Sequence, residues 1–192
     1  MNLFKNRFLK IITIFLFLLS VAFIVFNVYR SSKDVTTPQN QNVSNQAVDL
    51  SWVLPGKTSK DEVISKFGTP IEDDLTTNNE TLYYNSTSKT RNNQIIIKNE
   101  SVVLVKEMVS YLDSKKVSSI TTSYGISTDS LFGPDSAGGN KLYVYLDKGI
   151  AYIGDPKFDT LEEIWYFVPT SIEKFKEEWA PDYSETQKLN LY

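Results

Sequence analysis

A short helix with clear start and stop signals is the feature that most constrains how this chain folds. Pro55-Gly56 predicts a turn, and Thr58 with Asp61 three residues later matches the capping box that begins a helix. Gly68 and Pro70 then end the helix. The apolar residues between these signals lie on one helical face: Val63, Ile64 and Phe67. We therefore predict a helix from Thr58 to Phe67 that packs on a core through one side.

Runs of β-branched and aromatic residues follow this helix and predict antiparallel strands. Two of these runs flank the turn residues 98–101, and two others flank Asp147-Lys148, so each pair predicts a hairpin. A last run predicts the closing strand of the sheet. The predicted strands are Leu82–Tyr84, Ile95–Ile97, Val102–Val109, Leu142–Leu146, Gly149–Ile153 and Thr160–Val168.

The apolar spacing of the first helix recurs twice further along the chain. Short amphipathic helices resemble one another even without duplication, but agreement at both helix and strand positions favours a tandem repeat. Thr170 and Glu173 form a second capping box before the last helix. The two repeats of the spacing are Ile120, Tyr124, Gly125 and Phe175, Trp179, Ala180. We predict an α+β fold of tandem units, each a helix plus an antiparallel sheet, with the helices on one face of the sheet.

The composition excludes several kinds of site. The chain has neither cysteine nor histidine, which removes disulfides, thiolate metal sites and the dyads that pair a nucleophile with an imidazole base. We therefore expect no cofactor and no metal. Residues 31–192 contain 16 basic and 23 acidic side chains. This acidic balance argues against a nucleic acid partner, which requires a basic surface.

An uncharged apolar stretch at residues 11–29 predicts a transmembrane helix. Its 19 residues would extend about 28 Å as a helix, close to the thickness of a hydrocarbon core. A cleaved signal peptide is the alternative, but its apolar region is usually about 7–15 residues and ends at small residues. Lys5, Arg7 and Lys10 precede the stretch. Because positive charge favours the cytoplasmic side, we predict a cytoplasmic N-terminus at residues 1–10 and a single-pass anchor in the cell membrane.

The remaining chain divides into a linker, one folded domain and a tail. Residues 30–49 are polar and have no helical or strand period, as in flexible linkers. Residues 50–183 contain the predicted helices and strands and form the extracytoplasmic domain. Residues 184–192 form a tail that we expect to fray.

A family resemblance lies in residues 54–70, which read Leu-Pro-Gly-Lys-Thr-Ser-x-x-Glu-Val-x-x-x-Phe-Gly-Thr-Pro. This segment resembles the opening of the SmpA/OmlA (BamE-like) small envelope proteins. It also resembles the wider group with the β-lactamase-inhibitor-protein-like (BLIP-like) fold, in which such a helix precedes an antiparallel sheet and one member is a tandem of these units. The stretches 149–152 and 163–169 look like parts of uncharacterised bacterial envelope proteins. The resemblance implies an extracytoplasmic binding or scaffold domain, and not an enzyme.

The patterns that would indicate catalysis or nucleotide binding are incomplete. Gly56-Lys57-Thr58 has Ser51 where a P-loop requires glycine, so we predict no nucleotide site. Ser86-x-x-Lys89 and Ser171-x-x-Lys174 lack the further motifs of penicillin-binding enzymes. Acid pairs such as Glu162-Glu163 would serve a glycosidase only if two carboxylates converged, and neighbours on a strand point to opposite faces. We expect these acids to be solvated.

Aromatic residues crowd the predicted strands. Because side chains alternate between the two faces of a sheet, the run 165–167 places at least one ring on the face away from the helices. Tyrosine and tryptophan on that face form either a protein interface or a second core layer under a covering segment, and the sequence leaves both open. The candidate partner-binding residues are Tyr143, Tyr145, Trp165 and Phe167.

These inferences predict a membrane-anchored domain of the cell envelope that recognises a protein or another envelope component through its sheet face. A structural spacer or assembly subunit without a ligand is the alternative. A carboxylate-dependent envelope hydrolase is a third, less favoured reading.

Overall fold

Eight antiparallel strands form one continuous sheet in this protein, for which a computed structural model describes residues 46–134 and 141–187. The strands are β1 (Glu72–Leu75), β2 (Glu80–Tyr84), β3 (Asn93–Lys98), β4 (Ser101–Met108), β5 (Asp129–Phe132), β6 (Lys141–Tyr145), β7 (Ile150–Asp155) and β8 (Thr160–Phe167). Their order across the sheet is β1-β2-β3-β4-β8-β7-β6-β5. The helices described are α1 (Lys60–Phe67), α2 (Val117–Tyr124) and α3 (Ile172–Trp179), each of eight residues.

Tight turns set the pairing of neighbouring strands. Asn99 and Glu100 join β3 to β4 with φ values of 50° and 60°, the left-handed conformation that two-residue hairpin turns require. The turn between β6 and β7 contains Gly149, where a Cβ atom would lie 2.1 Å from the carbonyl oxygen of Phe167, so only glycine fits there. Both hairpins predicted from the sequence are confirmed.

Strands β1–β4 and strands β5–β8 form two antiparallel meanders. Their last strands, β4 and β8, pair with each other and join all eight strands into one sheet. Lys106 lies opposite Trp165, and Glu107 lies opposite Ile164. The predicted α+β architecture of tandem helix-plus-sheet units is therefore wrong, because the described chain is mostly a single antiparallel sheet with short helices. Pairing of β4 with β8 satisfies backbone groups that two separate sheets would leave exposed at their edges.

The helices lie on both faces of the sheet, so the prediction that they share one face is also wrong. Tyr166 of β8 packs with the clusters beneath both α1 and α2. Its neighbours Trp165 and Phe167 pack with Phe175 of α3. Because alternate residues of a strand point to opposite faces, α3 lies across the sheet from the other two helices. We call the two sides the α1/α2 face and the α3 face.

Two helices begin one residue later than their sequence predicts. Ser59, and not Thr58, caps α1, and its side chain exchanges hydrogen bonds with Glu62 in a capping box. The Thr58 hydroxyl instead accepts a hydrogen bond from the backbone N–H of Leu54 at 2.9 Å, inside the preceding turn. At α3 the cap is likewise Ser171, one residue after the predicted Thr170.

The predicted membrane anchor, residues 11–29, lies outside the described residues, as does most of the linker. Within residues 46–134 and 141–187, none of the helices has the length and apolar character needed to cross a membrane. The described residues belong to one compact unit. Of the predicted tail, residues 184–187 are described, and Ser184 forms an antiparallel bridge with Phe132 at the edge of β5.

Candidate binding groove beside the second helix

The four aromatic residues predicted to bind a partner are divided between the two faces of the sheet. Tyr143 and Tyr145 of β6 lie on the α1/α2 face, in the cluster that packs with α2. Trp165 and Phe167 of β8 lie on the α3 face. The structure therefore does not bring the four side chains together in one surface, and their part in binding stays a prediction.

Helix α3 covers the two aromatic residues of β8. The centroid of the Phe175 ring lies 4.7 Å from that of Phe167 and 6.1 Å from that of Trp165. Tyr183, which follows α3, meets the Trp165 ring edge-on at 6.2 Å. Trp165 and Phe167 are only 2% and 4% exposed. These two residues thus form the second core layer under a covering segment, one of the two alternatives that the sequence left open.

On the α1/α2 face, tyrosine rings form a continuous row across β6, β7 and α2. The rings of Tyr143 and Tyr152 stack with centroids 4.8 Å apart, Tyr152 is 6.4 Å from Tyr145, and Tyr145 is 5.9 Å from Tyr124. The middle of this tyrosine row is buried, whereas Tyr143 is half-buried and Tyr124 is 44% exposed. Both ends of the row therefore reach the surface.

Burial disfavours ionisation of three phenols in this row. Desolvation raises the pKa of Tyr143, Tyr145 and Tyr152 above the usual value, with a further rise at Tyr143 from the negative charge of Asp155. The hydroxyl of Tyr145 donates a hydrogen bond to the carbonyl oxygen of Gly125, at the end of α2. These tyrosines therefore act as hydrogen-bond donors and apolar surface, and not as anions.

A groove of about 360 Å³ opens beside α2 on the same face, and we call it the α2 groove. Its floor is aliphatic, its walls include the rings of Tyr124 and Tyr166, and its rim carries lysine and serine. Tyr124 belongs both to the groove and to the tyrosine row. The lining residues are Ser114, Lys115, Lys116, Ser119, Ile120, Tyr124, Ile150, Leu161, Ile164 and Tyr166.

Tyr166 is held in place at the groove by a carboxylate from β4. Its hydroxyl donates a hydrogen bond to Glu107 Oε2 at 3.3 Å, and the other oxygen of Glu107 forms an ion pair with Lys115. Burial raises the pKa of Tyr166, and the negative charge of Glu107 raises it further. The Glu107 carboxylate thus binds two residues of the groove lining and fixes their positions.

A second groove, of about 520 Å³, lies on the α3 face beside α3. It contrasts with the α2 groove because its lining is mainly charged, with Lys98 and Lys174 among three glutamates of α3. Lys98 and Glu178 approach to 3.9 Å. Across the described residues, no cluster of three or more acidic side chains is arranged to hold a metal ion. We consider this groove the weaker candidate because its charges of opposite sign largely neutralise one another.

One acid that the sequence predicts to be solvated is buried. Glu163 of β8 is 6% exposed, and its carboxylate accepts hydrogen bonds from Trp165 Nε1 at 2.6 Å and from Arg91 at 2.9 Å. Lys106 lies over the Trp165 ring, 3.8 Å from its centroid, and burial lowers the pKa of this lysine. Glu162, the residue before Glu163, is exposed. The predicted solvation holds for Glu162 and is wrong for Glu163, because a charged residue in an apolar strand needs such partners to be buried.

Sequence reasoning missed Tyr124, Tyr166 and Lys116 as groove residues. The signal for Tyr166 was present, since it stands between Trp165 and Phe167 and must point to the opposite face from both. For Tyr124 and Lys116 the sequence shows only a helix end and a charged loop. Their convergence depends on where α2 packs.

Comparison with known proteins gives only weak likenesses. No model of a known family matches the sequence, and no curated protein matches it. A DUF4309 family protein of Bacillus subtilis has a TM-score of 0.45 and 12% identity, over 62% of this chain and 83% of that one. An extracellular protein containing an SCP domain, from Bacillus anthracis, has a TM-score of 0.44 and 15% identity, over 78% and 55% of the two chains. A cysteine-rich secretory protein of Staphylococcus aureus has a TM-score of 0.41 and 14% identity, over 71% and 51%.

This chain spans about half the length of the second and third of these proteins. At such TM-scores and identities the likeness supports no statement about function.

Proposed function

We propose that residues 50–183 form an extracytoplasmic binding domain of the bacterial cell envelope, which recognises a protein or another envelope component through the α1/α2 face of its sheet. Residues 11–29 anchor the domain in the cell membrane in this proposal, and residues 30–49 give it reach. The positive charge before the apolar stretch, at Lys5, Arg7 and Lys10, supports an exported domain.

The observation that carries the proposal is the α2 groove with the adjoining tyrosine row. Tyr124, 44% exposed, lines the groove and also contacts the ring of Tyr145, so the groove adjoins the tyrosine row. Tyrosine suits recognition because a large, rigid ring with one polar end contacts a partner at low entropic cost. The aromatic side chains of β8 on the opposite face, Trp165 and Phe167, are buried beneath α3.

Binding also agrees with the chemistry of the groove lining. The lining offers ammonium, hydroxyl and phenol donors around an aliphatic floor, which is the usual composition of a recognition pocket. The ion pair of Lys115 with Glu107, and the hydrogen bond of Tyr166 to the same carboxylate, keep this surface ordered before a partner arrives.

Site-specific photocrosslinking in the native envelope tests the proposal. A photoreactive amino acid in place of Ser119, on the groove rim, is compared with the same amino acid in place of Glu177, on the α3 face. We expect a discrete adduct from position 119 and none from position 177. Tyr124→Ala should abolish the adduct, whereas Tyr111→Ala, at an exposed loop position, should leave it unchanged.

Each other outcome overturns a stated part of the proposal. An adduct from position 177 alone would show that recognition uses the α3 face and not the α1/α2 face. Equal adducts with and without Tyr124 indicate random encounter and remove the recognition role. If neither position forms an adduct, the spacer alternative replaces the binding domain.

A further inference from the structure

We infer that the α2 groove binds an anionic amphiphile, a small molecule or lipid with one apolar body and one terminal carboxylate or phosphate. This inference rests on the proposed binding function of the groove and names the chemical class of its ligand. Three observations carry it: the aliphatic floor, the basic rim and the size of the groove.

The floor of the groove provides a place for an apolar body. Ile150, Leu161 and Ile164 are buried in the cluster beneath α2 and still line the groove, so they present aliphatic surface at its base. The rings of Tyr124 and Tyr166 stand above this floor. Transfer of an apolar group from water to such a surface is favourable by roughly 25 cal/mol per Å² buried.

The rim of the groove provides positive charge and hydroxyl donors. Lys115, Lys116, Ser114 and Ser119 stand there, and none of the ten lining residues is acidic. The lysines differ, because Lys115 is paired with Glu107, whereas Lys116 makes no ion pair with an acid among the described residues. Lys116 is therefore the cation available to an incoming anion.

Asp159, an acid that the charge of Lys116 influences, is already engaged by α2. The carboxylate of Asp159 accepts hydrogen bonds from the backbone N–H of Ser118 at 2.7 Å and from its hydroxyl at 2.9 Å. These hydrogen bonds, with a smaller effect of the Lys116 charge, lower the pKa of Asp159. Asp159 thus binds the first turn of α2 and forms no ion pair with Lys116, whose ammonium has no carboxylate within ion-pair distance among the described residues.

This basic rim is a local exception on an acidic protein. Residues 31–192 carry 16 basic and 23 acidic side chains, so their net charge disfavours an anionic ligand. At the α2 groove the lining charge is positive, and the Lys115–Glu107 pair adds no net charge. A volume of about 360 Å³ lies within the usual range of small-molecule pockets, about 300–1,000 Å³.

Ligand titration monitored by methyl NMR tests the inference on the full chain in nanodiscs of uncharged lipid. The probe ligand is 4-phenylbutyrate, and the charge control is 4-phenylbutylamine, which has the same apolar body and the opposite charge. We expect saturable shifts of the Ile150 and Ile164 methyl groups with the carboxylate. Ile97, in the cluster beneath α1, should not shift.

Matched variants then test the basic rim. Lys116→Gln should weaken binding of 4-phenylbutyrate by about fivefold, the scale of one partly exposed ion pair. Lys89→Gln, at an exposed loop position outside the groove, should leave the affinity unchanged. A soluble short-chain phosphatidate, tested in parallel, distinguishes a lipid phosphate from a free carboxylate as the preferred source of the anion.

Several outcomes would overturn the inference. Equal binding of the amine, shifts outside the groove, or an unchanged affinity in Lys116→Gln would each remove the role of the basic rim. Empty nanodiscs show whether either probe merely enters the lipid. If the photocrosslinked adduct from position 119 still forms while neither anion binds, the binding function stands and the ligand class is wrong.

Discussion

The hydroxyl of Tyr145 donates a hydrogen bond to the carbonyl oxygen of Gly125 at 2.7 Å, and the hydroxyl of Tyr84 makes the same bond to Gly68 at 3.0 Å. Each glycine ends a helix, with φ and ψ of 82° and −164° at Gly125 and of 80° and −163° at Gly68. In each half of the sheet, a buried strand tyrosine thus holds the end of the helix that covers it.

The Tyr145 hydrogen bond should contribute measurably to stability. We expect Tyr145→Phe to lower the free energy of unfolding by about 1 kcal/mol, because the carbonyl of Gly125 loses its side-chain donor in a buried setting. Urea unfolding measures the change. Tyr111→Phe is the matched control, since Tyr111 is 78% exposed. Equal effects of the two substitutions would contradict the structural role of this bond.

Tyr84 should make the protein sensitive to alkali. Burial raises the pKa of Tyr84 to about 12, compared with about 10 for an unfolded tyrosine. Because the folded state holds the proton more tightly, this contribution to stability is fully present below about pH 10 and is lost as the pH rises to about 12. Through this one group, the free energy of unfolding falls by at most about 1.4 kcal/mol per pH unit.

Unfolding free energies measured from pH 8 to pH 12 check this pH dependence. We expect Tyr84→Phe to be less stable than the native chain at pH 8, through loss of the bond to Gly68, and to lose less stability above pH 10. If Tyr84→Phe lost as much unfolding free energy above pH 10 as the native chain, another group would be responsible for the sensitivity to alkali.

Glu163 should be the acid whose loss destabilises the sheet. We expect Glu163→Ala to cost about 2 kcal/mol, because Trp165 Nε1 and the guanidinium of Arg91 both lose a charged acceptor. Glu162→Ala, at the neighbouring exposed position, should change stability by less than about 0.5 kcal/mol. Chemical unfolding of the two variants decides the matter, and a larger effect at Glu162 would contradict the buried network.

The third helix should be part of the core. Phe175 is fully buried between α3 and β8, in contact with Trp165 and Phe167. We expect Phe175→Ala to lower the free energy of unfolding by about 3 kcal/mol through the cavity that it leaves. Phe158→Ala provides the control, because Phe158 is 69% exposed. If both substitutions had the same small effect, α3 would not stabilise the α3 face.

The positions of the helix caps and of Tyr166 illustrate how far prediction from sequence reaches here. Thr58 and Ser59 both carry a hydroxyl suited to a cap, and the sequence pattern does not decide between them. The choice follows from the turn, in which Thr58 binds the N–H of Leu54 and Ser59 is left to cap α1. The face of Tyr166 was predictable from alternation, but its partner Glu107, 59 residues earlier, was not.

The sequence by itself determined the hairpins of this protein and the C-terminal ends of its first two helices. These features depend on the backbone preferences of a few neighbouring residues, such as Gly68 and Gly125, whose φ near 80° few other residues adopt. The tertiary structure alone decided the α3 face, the burial of Glu163 and the α2 groove. All three depend on contacts between residues distant in sequence, as the pairing of β4 with β8 also does, and no local preference encodes such contacts.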